Sequence, residues 1–141
     1  MLGWFVALIL ATWIFLWALC QVGRSVPTED HLPLAFISGP YRAATRRGVY
    51  ANIRKAAEIA VAVAEKGYCV FTPHTNSHLP GLLGNLPDEY WLCMDIEVLS
   101  RCDLLVLVPG WHASAGTIDE VAFARDHGIP VYELADLPEA D

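Results

Sequence analysis

The sequence predicts an α/β domain built on a parallel sheet and preceded by one N-terminal transmembrane helix. Three observations carry that expectation. Along residues 34–134, short apolar runs alternate with longer stretches of helical period. Gly or Pro stands at most of the junctions between them. Ahead of them, residues 2–20 contain no charged side chain. At about 1.5 Å per residue that stretch reaches roughly 28 Å as a helix, close to the ~30 Å thickness of a bilayer's hydrocarbon layer.

The apolar stretch is read as an anchor over residues 1–21. A cleaved signal peptide is the alternative, but no Lys or Arg precedes Arg24 to supply its basic leader. All nine Lys and Arg follow the apolar stretch. The excess of positive charge on that side predicts a single-pass membrane protein with a cytoplasmic catalytic domain. Residues 22–33, with Pro27 and Pro33, read as a linker, residues 34–134 as the folded domain and residues 135–141 as a tail.

Within the domain, the run Leu34, Ala35, Phe36, Ile37, Ser38 ends in Gly39-Pro40 and reads as a buried strand. Residues 49–66 follow as a helix, with Ile53, Ala57, Ala60 and Ala64 at helical spacing and Gly67 as the stop. Residues 68–72 form a second strand. The polar, Pro- and Gly-rich stretch 73–87, with His74, Asn76, His78 and Asn85, is a long loop of the kind that often carries function. A helix over 88–101 leads to a third strand at 104–108, a loop at 109–115, a helix over 116–127 closed by Gly128, and a last strand beginning at Pro130. Such alternation favours right-handed crossovers and helices on both sheet faces, a three-layer sandwich of the flavodoxin-like or Rossmann-like kind.

Composition excludes several functions. The formal net charge of −7 lies wholly outside the apolar stretch, and a polyanion would be repelled, so polymeric nucleic acid is not expected as a partner. Cys20, Cys69, Cys93 and Cys102 show no CxxC spacing, which predicts reduced thiols and no structural zinc. His74 and His78 stand four apart, but Pro73 and Pro80 flank them and a metal-binding helix is not expected. No metal and no organic cofactor is predicted.

Chemistry concentrates near the end of the third strand, where open α/β sheets gather ligands. Leu92, Asp95, Ile96 and Leu99 share one helical face, so Asp95 is a carboxylate inside an apolar stripe that must find partners or shift its ionisation upward. Glu120 has two readings. Thr117-Ile118-Asp119-Glu120 fits a capping box in which the Glu turns back on its own helix. The small residues Gly110, Ala113, Ser114, Ala115 and Gly116 before it instead allow a ligand to approach free amides at the helix start.

Three features in order, Phe36-Ile37-Ser38-Gly39-Pro40-Tyr41, Asp95 eight residues before Asp103, and Ser114-x-Gly116-x-x-x-Glu120, resemble the nucleoside 2-deoxyribosyltransferase superfamily, which includes the 2'-deoxynucleoside 5'-monophosphate N-glycosidases. The chain is most similar to small members of unassigned substrate. The resemblance covers residues 34–134. It implies cleavage, by hydrolysis or transfer, of the N-glycosidic bond of 2'-deoxynucleosides or their 5'-monophosphates. Glu120 would be the nucleophile that forms a covalent deoxyribosyl intermediate, Asp95 the acid at the base, and Tyr41 the residue orienting the nucleophile. Ser38 and Gly39 at the first strand end would contact substrate. Ser114, where the monophosphate hydrolases carry a serine, would join the Gly116 and Thr117 amides in a phosphate nest, with Arg42 as counter-charge and Trp111 stacking on the base. The expected partner is a small nucleoside or nucleotide, and a homodimer or higher homo-oligomer is implied. A membrane-tethered, non-catalytic nucleotide-binding or sensing module is the alternative. It needs Ser114 and Gly116 but no poised Glu120.

Overall fold

The computed structural model describes residues 31–76 and 86–140. The expected membrane anchor, the linker up to residue 30, and His78 and Asn85 of the long loop lie outside the described residues. Among the described residues no helix is long and apolar enough to cross a membrane.

Four strands, β1 (Leu34–Ser38), β2 (Cys69–Phe71), β3 (Leu104–Leu107) and β4 (Val131–Glu133), form one sheet in the order β2-β1-β3-β4. Every pairing is parallel, with Phe36 opposite both Phe71 and Leu105, and Val106 opposite Tyr132. The crossovers are α1 (Arg46–Glu65), then a one-turn α2 (Pro73–Asn76) with α3 (Asp88–Leu99), then α4 (Ala115–Asp126). The loop between β3 and α4 contains a 3₁₀ turn at Trp111–Ala113, and a second follows β4 at Leu134–Asp136.

Local chemistry sets the boundaries. Thr45 accepts a hydrogen bond from the Gly48 amide at 3.1 Å, so α1 starts three residues before the expected position 49. An N-cap outranks apolar periodicity there, because Arg46, Arg47 and Gly48 contribute nothing to the stripe. Gly67, at φ 94°, ends that helix as predicted.

The strand alternation divides the core. Ala35, Ile37, Leu104, Val106 and Val108 pack with Ala56, Ala60 and Val63 of α1 on one face. Phe36, Leu105 and Leu107 pack with Leu99 of α3 and with Val121 and Ala124 of α4 on the other. Phe36, Ile37, Leu105 and Val106 are fully buried, each contributing about 1.5–3 kcal/mol relative to exposure. Beyond β4 the chain docks against the first face. Leu137 is buried there, the Ala140 amide donates to the Lys66 carbonyl at 2.8 Å, and Lys66 pairs with Glu139 at 2.9 Å.

This strand order places the site. From β1 the chain crosses to β2 on one side, while β3 lies on the other, so the loops leaving β1 and β3 diverge and open a crevice at their carboxyl ends. The exit from β1 is tight. A Cβ on Gly39 would stand 2.4 Å from Val108 Cβ, so only glycine lets the two strand ends pass.

Candidate active site at the strand switch point

A cavity of about 670 Å³ occupies the crevice. The end of β1, the loop after it, α2, α3 and the first turns of α4 supply its walls. Of the residues singled out from sequence, Ser38, Gly39, Tyr41, Arg42, Asp95, Ser114, Gly116, Thr117 and Glu120 line it, and Trp111 does not.

Two periodicities bring Ser38 and Glu120 together. Ser38 follows Phe36 by two positions, and so shares the sheet face that α4 covers. On α4 the buried residues are Thr117, Glu120, Val121 and Ala124, one helical stripe that carries Glu120 onto the same face. There the Ser38 hydroxyl donates a hydrogen bond to Glu120 Oε2. Among the described residues no hydrogen bond reaches Oε1.

The capping-box expectation is corrected. The helix begins with Ser114 as N-cap, its hydroxyl oxygen accepting from the Thr117 amide at 3.3 Å. Thr117 is therefore the third helical residue, buried at 2% exposure, and Glu120 sits a turn further in, too far along to fold back as a cap. The amides expected to form a phosphate nest divide accordingly. The Thr117 amide is occupied by Ser114, while the amides of Ala115 and Gly116 precede the first intrahelical hydrogen bond. Gly116 has no packing reason to be glycine, since a Cβ there would meet nothing within 4 Å. Its bareness leaves room beside those amides for a ligand.

The α3 stripe runs from core to cavity. Leu99 is fully buried, Ile96 packs against the core, and Leu92 and Asp95 face the cavity. Asp95 Oδ1 is buried without a hydrogen-bond partner. Burial pushes the Asp95 carboxyl up to about 6. Burial also raises Glu120, to about 7, against the lowering effect of the Ser38 hydrogen bond and with the help of the Asp95 and Asp119 charges. Two carboxyl groups in one cavity thus titrate near neutrality, where either can hold or release a proton.

Arg42 stands on the rim, paired to Asp88 at 2.5 Å with both side chains largely exposed. Tyr41 lies edge-on to His74, ring centroids 6.1 Å apart. Tyr41 thus stands in the cavity wall with Glu120, while the hydroxyl that donates to Glu120 Oε2 belongs to Ser38. Trp111, expected beside the base, does not line the cavity. The 3₁₀ turn carries its ring against the core face formed by Leu105, Leu107 and Val121, and it stacks on His112 at 3.8 Å. Burial of its large apolar ring outweighs exposure at the cavity.

Sequence reasoning missed His74. It lines the cavity at 4% exposure, with Nε2 at 3.1 Å and 3.2 Å from the Gly39 and Pro40 carbonyls and Nδ1 buried without a partner. Burial lowers its pKa, against the raising effect of those carbonyls, which keeps the ring neutral. Its position just past the carboxyl end of β2, beside the switch strand, was the available signal. Among the described residues no group of His, Cys, Asp and Glu is arranged to hold a metal ion.

Fold and site together define an α/β domain with two carboxyl groups, Glu120 buried and Asp95 half-buried, on one cavity at its topological switch point. Residues 35–133 match the family described as a domain of unknown function, DUF4406, and the chain belongs to that family. Among solved structures it is similar to a conserved protein from Enterococcus faecalis V583, at 20% identity and a TM-score of 0.58, covering 73% of this chain and 63% of that one. It is also similar to a 2-deoxyribosyltransferase from the psychrotolerant bacterium Bacillus psychrosaccharolyticus, at 18% identity and a TM-score of 0.53, covering 71% of this chain and 70% of that one. At these identities the likeness is one of fold. The chain spans 63% of the length of the Enterococcus protein. No curated protein matches it.

Proposed function

We propose that this protein cleaves the N-glycosidic bond of 2'-deoxynucleosides or their 5'-monophosphates through a covalent intermediate on Glu120. The observation that carries the reading is the convergence of Glu120 and Asp95 on one cavity, both buried enough to titrate near neutral pH. A carboxylate nucleophile and a carboxylic acid are the two groups that glycoside cleavage with retention requires.

In this reading Glu120 Oε1 attacks C1' as the C1'–N bond breaks. The electron pair of that bond goes to the base nitrogen, and the proton held by Asp95 neutralises it. Water, deprotonated by the Asp95 carboxylate, then attacks C1' and frees Glu120. A second base in place of water gives transfer. The Ala115 and Gly116 amides, the Ser114 hydroxyl and the positive end of α4 form the place for a 5'-phosphate or 5'-hydroxyl. A membrane anchor at residues 1–21 with the domain on the cytoplasmic side belongs to the same proposal, and fractionation with protease protection tests it.

The experiment is release of free base from a panel of 2'-deoxynucleosides and their 5'-monophosphates by the wild type and by Glu120→Ala. Release that disappears in the variant is expected. Retained nucleotide binding without release in either protein would favour the non-catalytic sensing module instead.

A further inference from the structure

Resting on that reading, we infer that Ser38 is the positioning residue of the nucleophile: its hydroxyl holds Glu120 Oε2, leaving Oε1 as the oxygen that attacks. Ser38 is at 1% exposure and cannot shift. Its carbonyl accepts from the Val108 amide at 2.8 Å, it is in register with Leu107, and Gly39 beside it is wedged against Val108. The strand end is therefore held against β3, and the hydroxyl meets Glu120 across 82 positions of sequence with little freedom to turn away.

The consequence differs between the two steps. While Glu120 is a carboxylate, the Ser38 hydrogen bond is charge-assisted. In the deoxyribosyl ester Oε2 is a neutral carbonyl and the same bond is weaker. When water attacks C1' and the C1'–Oε1 bond breaks, its electron pair returns to Glu120 and the hydrogen bond strengthens again. Ser38 thus favours the ionised nucleophile and speeds release of the sugar. Among the described residues, the other titratable or charged groups at the cavity are Asp88, Glu89 and Asp95 from α3, Asp119 on α4, His74 from α2, and Tyr41 and Arg42 from the β1 loop. Of these, Asp95 and Asp119 raise the Glu120 ionisation and so oppose Ser38.

The test uses the full-length protein with Ser38→Ala and Ser38→Thr. Titration of the Glu120 carboxyl by carbon-13 NMR reads the contact without needing turnover, and the pH dependence of base release reads its effect on catalysis. In Ser38→Ala the Glu120 titration is expected to rise by about one to two pH units, the worth of a hydrogen bond to a charged group. Base release should fall about 10- to 100-fold near pH 6–7, and the deficit should close as the pH passes the new Glu120 ionisation. Ser38→Thr, which keeps a hydroxyl, should stay near wild type in both. An unchanged Glu120 titration in Ser38→Ala, or a deficit equal at every pH, overturns the inference. A raised titration in a protein that releases no base supports the Ser38–Glu120 contact and overturns the glycosidase reading.

Discussion

Replacing Glu120 with Gln should make the protein more stable at neutral and alkaline pH while removing the proposed base release. The carboxyl rises from an ordinary 4.5 to about 7, chiefly by burial, and its side chain is 7% exposed, so solvent screening removes little. That rise corresponds to about 3 kcal/mol as an upper bound. The sign follows from proton binding. Below pH 4.5 both folded and unfolded chains hold the proton, and Glu120 contributes its full share of stability. Between 4.5 and 7 the unfolded chain releases the proton while the folded one keeps it, so stability falls as pH rises, and above 7 the loss is complete. Gln never ionises and can keep the contact with Ser38. The variant should therefore match the wild type near pH 4 and exceed it near pH 8. For a domain of this size each kcal/mol shifts Tm by roughly 4–8 °C. Even a third of the full value is measurable by thermal unfolding of the full-length protein at the two pH values. A variant no more stable than wild type at pH 8, or a difference independent of pH, would refute the assignment of Glu120 as a carboxylate held in a desolvated site.

Other expectations follow from the same geometry. Base release should peak between pH 6 and 7, because Glu120 must be ionised and Asp95 protonated. With those ionisations at about 7 and about 6, only about one molecule in twenty holds that arrangement at the optimum. A rate that keeps rising through pH 9 would contradict it. Asp95→Asn should lower base release by about 100-fold or more, and should lower the Glu120 titration because a neighbouring negative charge is gone. An unmoved Glu120 titration counts against the pairing. Gly39→Ala should cost about 1–3 kcal/mol in denaturant unfolding, since its Cβ would press on Val108. Wild-type stability in that variant would mean the strand ends part easily. Thr45→Ala should cost about 1 kcal/mol by loss of the α1 cap, read in the same assay.

Elements whose signal is local were legible in the sequence. The bounds of β1 and the core of β3 follow from apolar runs. The stop of α1 follows from Gly67, and Asp95 stood out because a carboxylate interrupts a helical stripe. What sequence spacing alone left open were contacts between distant segments. Whether Glu120 caps its own helix or faces a cavity depended on where α4 begins. The 3₁₀ turn at Trp111–Ala113 decided that by delivering Ser114 as the cap. The same turn set Trp111 against the core rather than toward the cavity. His74 became part of the cavity only because β2 pairs beside β1 and brings the turn after it against the Gly39 carbonyl. The alternation of elements and the presence of two acids near one strand end were already readable from the order of residues, because hydrophobic period and capping act over a few residues. The meeting of Ser38 and Glu120 was not readable there, because a hydrogen bond between a strand end and a helix two crossovers later exists only once the sheet order is set.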